Sequence, residues 1–278
     1  MGLVQTLEIW EMQMQHPDIA CSLHPAIEGF DVTIATRQSD DHDEVFRRVI
    51  PPMLSFVSGF VDTTGFLGFS GLLTSQVTGS FVAAGAAFVR PETGLAAKLL
   101  AIPMFMVGAV FMTLLLAGLR RRKRNPMPAA LIMVAVLIGL FLLVAVAGGQ
   151  FTTAETPMAL GAAILAFIAM GSQSALVRGL FKGSVPANFM TGNVTQVAVE
   201  STDLVLARLG LLHVGDPAAD EARVKAARAQ LKILIPMIVC FLLGAMISAH
   251  AFIAVGFWSL LLAAGLIMAA ALWSWQAD

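Results

Sequence analysis

Asp62 has more chemistry to offer than any other residue of this chain. It stands eleven residues past Pro51, in an apolar run over 51–72 that carries no other charge. An unpaired carboxylate at such a depth in a hydrocarbon layer costs at least ~2.5 kcal/mol, so it must face protein or a water-filled cavity. It is expected to bind a substrate or a cation, or to carry a proton. The competing expectation is a structural hydrogen bond, to Arg178 or to the amides of the glycine-rich turn that follows. Two further polar clusters repeat one another: Gln76, Thr78, Gly79 and Ser80, then Asn188, Thr191, Gly192 and Asn193. Polar groups beside a flexible glycine can break a helix and present backbone to a ligand, which is tolerated at membrane depth only beside a cavity or within protein. The same small residues equally serve close helix packing. Gln173, Ser174 and Arg178 form the last group. Arg178 shares a helical face with Ser174, four residues before it, and either pairs with Asp62 or snorkels to a membrane surface beside Lys182.

No enzyme constellation accompanies these residues. There is no Ser-His pair near a glycine elbow, no His-Glu-x-x-His and no phosphate-cradling loop. His16, His24 and His42 fit no common metal template, and His250 reads as a hydrogen-bonded residue at a helix end. Cys21 and Cys240 lie far apart and suggest neither a disulfide framework nor a metal site. No catalytic role, cofactor or metal is therefore expected. A net charge of -1 gives no reason to expect nucleic acid as a partner.

The elements that must hold these residues are membrane helices. Of the 278 residues 58% are hydrophobic and only 13% charged, with a mean hydropathy of +0.82. A soluble domain is nearer half apolar and a quarter charged. Met127 to Gly149 contains no ionisable group, and ~20 apolar residues span a bilayer core. The apolar runs cover 51–72, 74–90, 97–119, 127–148, 157–181, 185–206, 231–250 and 252–275, with 74–90 and 185–206 the weakest. Residues 1–48 form a soluble N-terminal tail, flexible or partly helical, and 207–230 a polar loop. The first 25 residues carry Glu8, Glu11 and Asp18 and read as no signal peptide. Trp258, Trp273 and Trp275 fit interfacial anchors.

The two halves, 49–153 and 154–278, look homologous. Gly59-Phe60-Val61-Asp62, Val77-Thr78-Gly79-Ser80 and Phe105-Met106-Val107-Gly108-Ala109 recur in order as Gly171-Ser172-Gln173-Ser174, Met190-Thr191-Gly192-Asn193 and Phe241-Leu242-Leu243-Gly244-Ala245. Ser174 then stands where the first half has Asp62. Arg47 and Arg48, the block Arg120 to Arg124, and the loop holding Arg208, Arg223, Lys225, Arg228 and Lys232 should all be cytoplasmic. That requires 51–90 and 157–206 each to cross once, as one spanning helix plus a partial or re-entrant one. The fold expected is thus an all-α integral membrane protein of about six crossings plus two broken helices, with inverted halves. Eight crossings, with parallel halves, remain the alternative. Both termini would be cytoplasmic.

These motifs also carry a resemblance. Gly59-Phe60-Val61-Asp62, Thr78-Gly79, Met170-Gly171-x-Gln173 and Met190-Thr191-Gly192-Asn193 resemble the YoaK family of bacterial membrane proteins, over roughly residues 50–275. That family is a domain of unknown function, so the resemblance implies a multi-pass protein of the bacterial inner membrane and no particular activity. The chain departs from the family at Ser80 and Ser174, where Asn is usual, which puts a ligand contact by those two in doubt. The function expected from the residues is a small-molecule permease or secondary transporter, its site at the interface of the halves: Asp62, Gln76, Thr78, Gly79, Gln173, Asn188, Thr191, Gly192 and Asn193. The alternative is a non-transporting sensor or assembly scaffold. The partners expected are the lipid bilayer and a small molecule or ion, with self-association into a homo-oligomer left open.

Overall fold

The computed structural model describes residues 32–69, 71–87, 89, 95–149, 151, 156–181, 190–211 and 217–276. The chain divides into two compact units, Met1–His42 and Asp43–Asp278; the account below concerns the second. Among the described residues the elements are all helical: α1 (Val32–Gly68), α2 (Val77–Ala87), α3 (Leu95–Arg121), α4 (Met127–Gly148), α5 (Pro157–Leu180), α6 (Met190–Arg208), α7 (Pro217–Val255) and α8 (Leu260–Gln276), with a 3-10 turn at Gly256–Ser259 before α8. Four helical stretches are long and apolar enough to cross a membrane: Leu95–Arg121, Met127–Gly148, Pro157–Leu180 and Ala219–Gln276, the last holding both α7 and α8.

The boundaries follow from local chemistry. Thr156 caps α5 by accepting the amide of Ala159, with Pro157 at the first helical position, where a missing N–H costs nothing. Gly149 ends α4 at φ 74, its amide returned to the Val146 carbonyl. Gly256, at φ 58, separates α7 from α8, a conformation that favours glycine. α7 has 39 residues, about 58 Å at helical rise, against a hydrocarbon core of ~30 Å. Its charged first part, Asp220 to Lys232, therefore has length to stand outside that core. α2 is different: its 11 residues reach about 16 Å, too short to cross. The apolar run over 74–90 is thus not one helix through the membrane, because the chain from Gly71 to Gln76 is not helical.

An aromatic cluster fixes the direction of the long helices. Phe69, just past α1, lies 6.0 Å from Phe141 late in α4, 5.5 Å from Phe151 and 5.5 Å from Phe257 past the end of α7. The C-terminal ends of α1, α4 and α7 therefore share one end of the bundle. At the other end, Leu119 late in α3, Pro128 early in α4 and Trp275 late in α8 line one cleft, and Arg120 donates to the carbonyl of Gly179 at the end of α5. So α1, α4 and α7 run one way, and α3, α5 and α8 the other. α8 packs along α4, α5 packs on α3 and α4, α2 on α3, and α6 on α7.

Four glycines close the bundle in pairs. A Cβ added to Gly59 would collide with the carbonyl of Phe241, and one on Gly244 with that of Phe56. A Cβ on Gly108 would collide with the carbonyl of Ile168, and one on Gly171 with that of Phe105. In all four cases the obstructing carbonyl belongs to the residue three positions before the partner helix's glycine. The seams α1–α7 and α3–α5 thus have the same construction, with backbones approaching as small residues allow. Ser248 and Thr64 add hydrogen bonds to the first seam, with Ser248 donating to the Phe60 carbonyl at 2.8 Å. Ser172 donates to the Gly108 carbonyl at 3.0 Å in the second.

Candidate functional site

Asp62 is buried, 3% exposed, and its carboxylate is engaged by its own chain. One oxygen accepts the Thr74 amide at 2.8 Å, the Thr74 hydroxyl at 2.9 Å and the Ser75 amide at 2.6 Å. The other accepts the Ser75 hydroxyl. The reason is local. After α1 the chain turns at Gly71 (φ 94) and returns beside the helix, with Thr74 and Leu72 against Gly65, which leaves no room for a Cβ there. That returning stretch is not helical, so its amides need partners where no water is available. Asp62 supplies them two residues before α2 begins. Arg178 is not among its partners. It lies exposed near the end of α5, at the end of the bundle opposite the close of α1, so the pairing expected from the sequence is not formed.

Gln173 joins α5 to α1. Its amide nitrogen donates to the Leu54 carbonyl and to the Ser58 hydroxyl, both at 2.7 Å. Its carbonyl oxygen is buried and has no partner among the described residues. Asn193, in the first turn of α6, is 0% exposed, and neither its side-chain oxygen nor its side-chain nitrogen makes a hydrogen bond among the described residues. Thr78 and Gly79 lie exposed on the first turn of α2, with Gln76 half-buried just before it; Thr191 and Gly192 lie exposed on the first turn of α6. Asn188 falls outside the described residues. Ser80 and Ser174 are buried.

The motif residues therefore separate into three kinds. Asp62 holds backbone, Gln173 and Asn193 hold unsatisfied polar atoms inside the fold, and the Thr-Gly pairs begin two helices that pack on different neighbours, α2 on α3 and α6 on α7. Sequence reading missed Thr74, Ser75 and Ser58. The signal for the first two was present: a Thr-Ser pair just ahead of a helix start marks a stretch whose amides need an acceptor. Three clefts are walled by described residues alone. The largest, 690 Å3, opens among Leu67, Gly68, Val146, Phe151, Phe252 and Trp258 at the aromatic end. None of the three is lined by Asp62.

Residues 52–273 match the model of a family described as protein of unknown function (DUF1275). The chain belongs to this family. That agrees with the resemblance read from the glycine motifs, since the YoaK proteins are of DUF1275 type. No curated protein and no solved structure matches the chain. The DUF1275 match spans both halves of the bundle, from the second proline of α1 to the last turns of α8. It thus takes in Asp62, Gln173 and Asn193 together and leaves only the tail and the last residues outside.

Proposed function

We propose that this DUF1275 protein is a permease for a small hydrogen-bonding solute, and that Gln173 and Asn193, not Asp62, are its recognition groups. The observation that carries the reading is the burial of three polar atoms without partners among the described residues, Gln173 Oε1 and both amide atoms of Asn193. Leaving such groups unpaired costs roughly 1–3 kcal/mol each. A chain that keeps that cost at two motif positions has a use for it, and a solute with both donors and acceptors would repay it.

The bundle is read as six crossings by α1, α3, α4, α5, α7 and α8, with α2 and α6 not crossing. Two observations support this. The six helices alternate in direction, and the basic residues gather at one end: Arg48 in α1 ahead of its apolar part, Arg120 to Arg124 at and just past the end of α3, Arg178 at the end of α5 and Arg223 to Lys232 early in α7. That end is then the cytoplasmic one, with both termini inside. The identical construction of the two glycine seams supports a duplication. In it α1, α3 and α4 correspond to α5, α7 and α8 running the opposite way, an inverted repeat of the kind secondary transporters use. The protein has no catalytic role on this reading.

The test is solute uptake by the full chain in proteoliposomes, with solutes chosen by a thermal-shift screen. Asn193→Ala should abolish both uptake and the ligand-induced rise in Tm. Uptake unchanged in Asn193→Ala would overturn the site. A non-transporting scaffold is the second reading, favoured by the full engagement of Asp62 in holding its own loop; a screen and uptake series with no responding solute would move the balance to it.

A further inference from the structure

The basic end of the bundle carries a cleft that the transport reading does not use. It measures 350 Å3 and is walled by Leu119, Arg124, Asn125, Pro128, Ile132 and Trp275, with Ala129 between them. Three helix ends form it: the close of α3, the opening of α4 and the close of α8. Its size falls within the ~300–1,000 Å3 of small-molecule sites. Its walls are of two kinds. Leu119, Ala129 and Ile132 are apolar and belong to α3 and α4. Arg124 and Asn125 stand at the rim, in the loop that closes the five consecutive basic residues Arg120 to Arg124. Trp275 is 63% exposed beside them, where an aromatic ring with a polar edge suits the membrane–water boundary.

The basic residues of this loop are not equivalent. Arg120 is used within the fold, donating to the Gly179 carbonyl at 2.6 Å. Lys123 takes a positive φ of 54, turning the chain so that Arg124, its amide bonded to the Leu119 carbonyl, lines the cleft. Asn125 in turn accepts the Met127 amide at 3.0 Å and fixes the start of α4. The Arg124 backbone is therefore fixed at the corner, and its side chain lines the cleft beside the positive end of a 22-residue helix.

We propose that this cleft binds an anionic phospholipid, with the headgroup phosphate on Arg124 and the first methylenes of an acyl chain along Leu119 and Ile132. Charge complementarity selects the occupant. A zwitterionic lipid would meet five positive charges with no net charge of its own, and a purely apolar ligand would leave the guanidinium unused. Basic pockets between helices at a membrane surface hold anionic headgroups for this reason. The inference rests on the membrane fold alone and stands or falls apart from any transport activity.

The test uses the full chain in detergent with brominated phosphatidylglycerol or brominated phosphatidylcholine as quencher. The signal of Trp275 is isolated by difference from Trp275→Phe. Phosphatidylglycerol should quench Trp275 at about fivefold lower mole fraction than phosphatidylcholine, the ratio that one well-placed arginine supplies. Arg124→Gln should erase that ratio without changing the melt, since the side chain is exposed and makes no bond among the described residues. Ile132→Phe, which fills the cleft, adds no tryptophan to the signal and leaves every charge in place, should erase it too. Equal quenching by the two lipids would overturn the proposal. So would a preference lost equally in Arg121→Gln, outside the cleft, since that would mean diffuse attraction to the loop. Relief of the quenching by inorganic phosphate alone would assign the site to a free anion and overturn the lipid as its occupant.

Discussion

The two halves of the bundle close on each other through two glycine seams of the same construction, and they differ in what they do with their polar residues. In the first, Asp62 takes four hydrogen bonds from Thr74 and Ser75 and holds the returning chain ahead of α2. In the second, the aligned motifs put Ser174 at the place of Asp62 and Asn193 at that of Ser80, and the buried Asn193 makes no side-chain bond among the described residues. Asp62 is satisfied by its own chain, whereas Asn193 and the Gln173 carbonyl oxygen have no partner among the described residues. The difference teaches that matched motifs need not share a task. Packing that both halves require stays alike, while a polar position can become scaffold in one half and stay available to a ligand in the other.

The largest effect expected from breaking this comparison lies in what the halves share. Gly171→Leu should prevent folding, because its side chain would have to occupy the position of the Phe105 backbone. Even Gly171→Ala or Gly59→Ala should cost about 1–3 kcal/mol, the usual range for overpacking. Gly139 and Gly118 have open space at the Cβ position, so Ala there should be neutral or stabilising by up to ~1 kcal/mol through helix propensity. Thermal melts of the four alanine variants check this. If Gly59→Ala and Gly171→Ala differed in sign, the seams would not be equivalent.

Asp62 comes next. Asp62→Ala leaves two backbone amides and two hydroxyls without an acceptor and should cost about 3 kcal/mol. Asp62→Asn should be far milder, because its oxygen can take the two amides and its nitrogen can donate to the Ser75 hydroxyl. A role in solute binding predicts the reverse, a large loss of uptake in Asp62→Asn with an unchanged melt. Measuring melt and uptake on both variants separates the two.

How much of this was legible follows from where the partners lie in sequence. The long apolar runs marked α3, α4 and α5, since hydropathy needs only neighbours along the chain. Aligned motifs paired Gly59 with Gly171 and Gly108 with Gly244. They did not say that each glycine packs against the other half's seam, because Phe241 lies far along the chain from Gly59. Asp62 was legible as costly, and the bond to the amides of the following turn stood among its expected uses; which residues supply them was not, because Thr74 and Ser75 sit in a stretch that reads as the start of an apolar helix. Of the two expectations for Arg178 the pairing with Asp62 is not formed, because periodicity gives the face of a helix and not the end of the bundle at which a residue stands.

A smaller effect is expected from the short helices. α2 carries no charge, whereas α6 carries Asp203, bound by both arms of Arg223 at 2.7 and 2.8 Å. The pair ties α6 to the charged part of α7. Arg223 is exposed, so solvent screens the attraction and the loss in Arg223→Ala should be slight. It should shrink further at ~1 M salt, where the screening length falls to ~3 Å. A large, salt-independent drop in Tm would make the pair part of the second half's core.

Asn193→Ala should change stability least and is the sharpest probe of the difference between the halves. Removing a buried polar group normally costs stability because its partners lose a bond. The Asn193 side chain has no partner to lose among the described residues. The substitution deletes an unsatisfied amide and leaves a small void, two effects of opposite sign and each on the order of 1 kcal/mol. The melt of the ligand-free protein should therefore hold or rise slightly. Ser80→Ala at the matching place in the first half gives the reference for a simple buried hydroxyl. If Asn193 serves a ligand, the alanine variant keeps its melt and loses the ligand-induced stabilisation, while Ser80→Ala keeps both. If Asn193 is scaffold like Asp62, its loss lowers the melt, and the halves then differ in the residues they use and not in the purpose those residues serve.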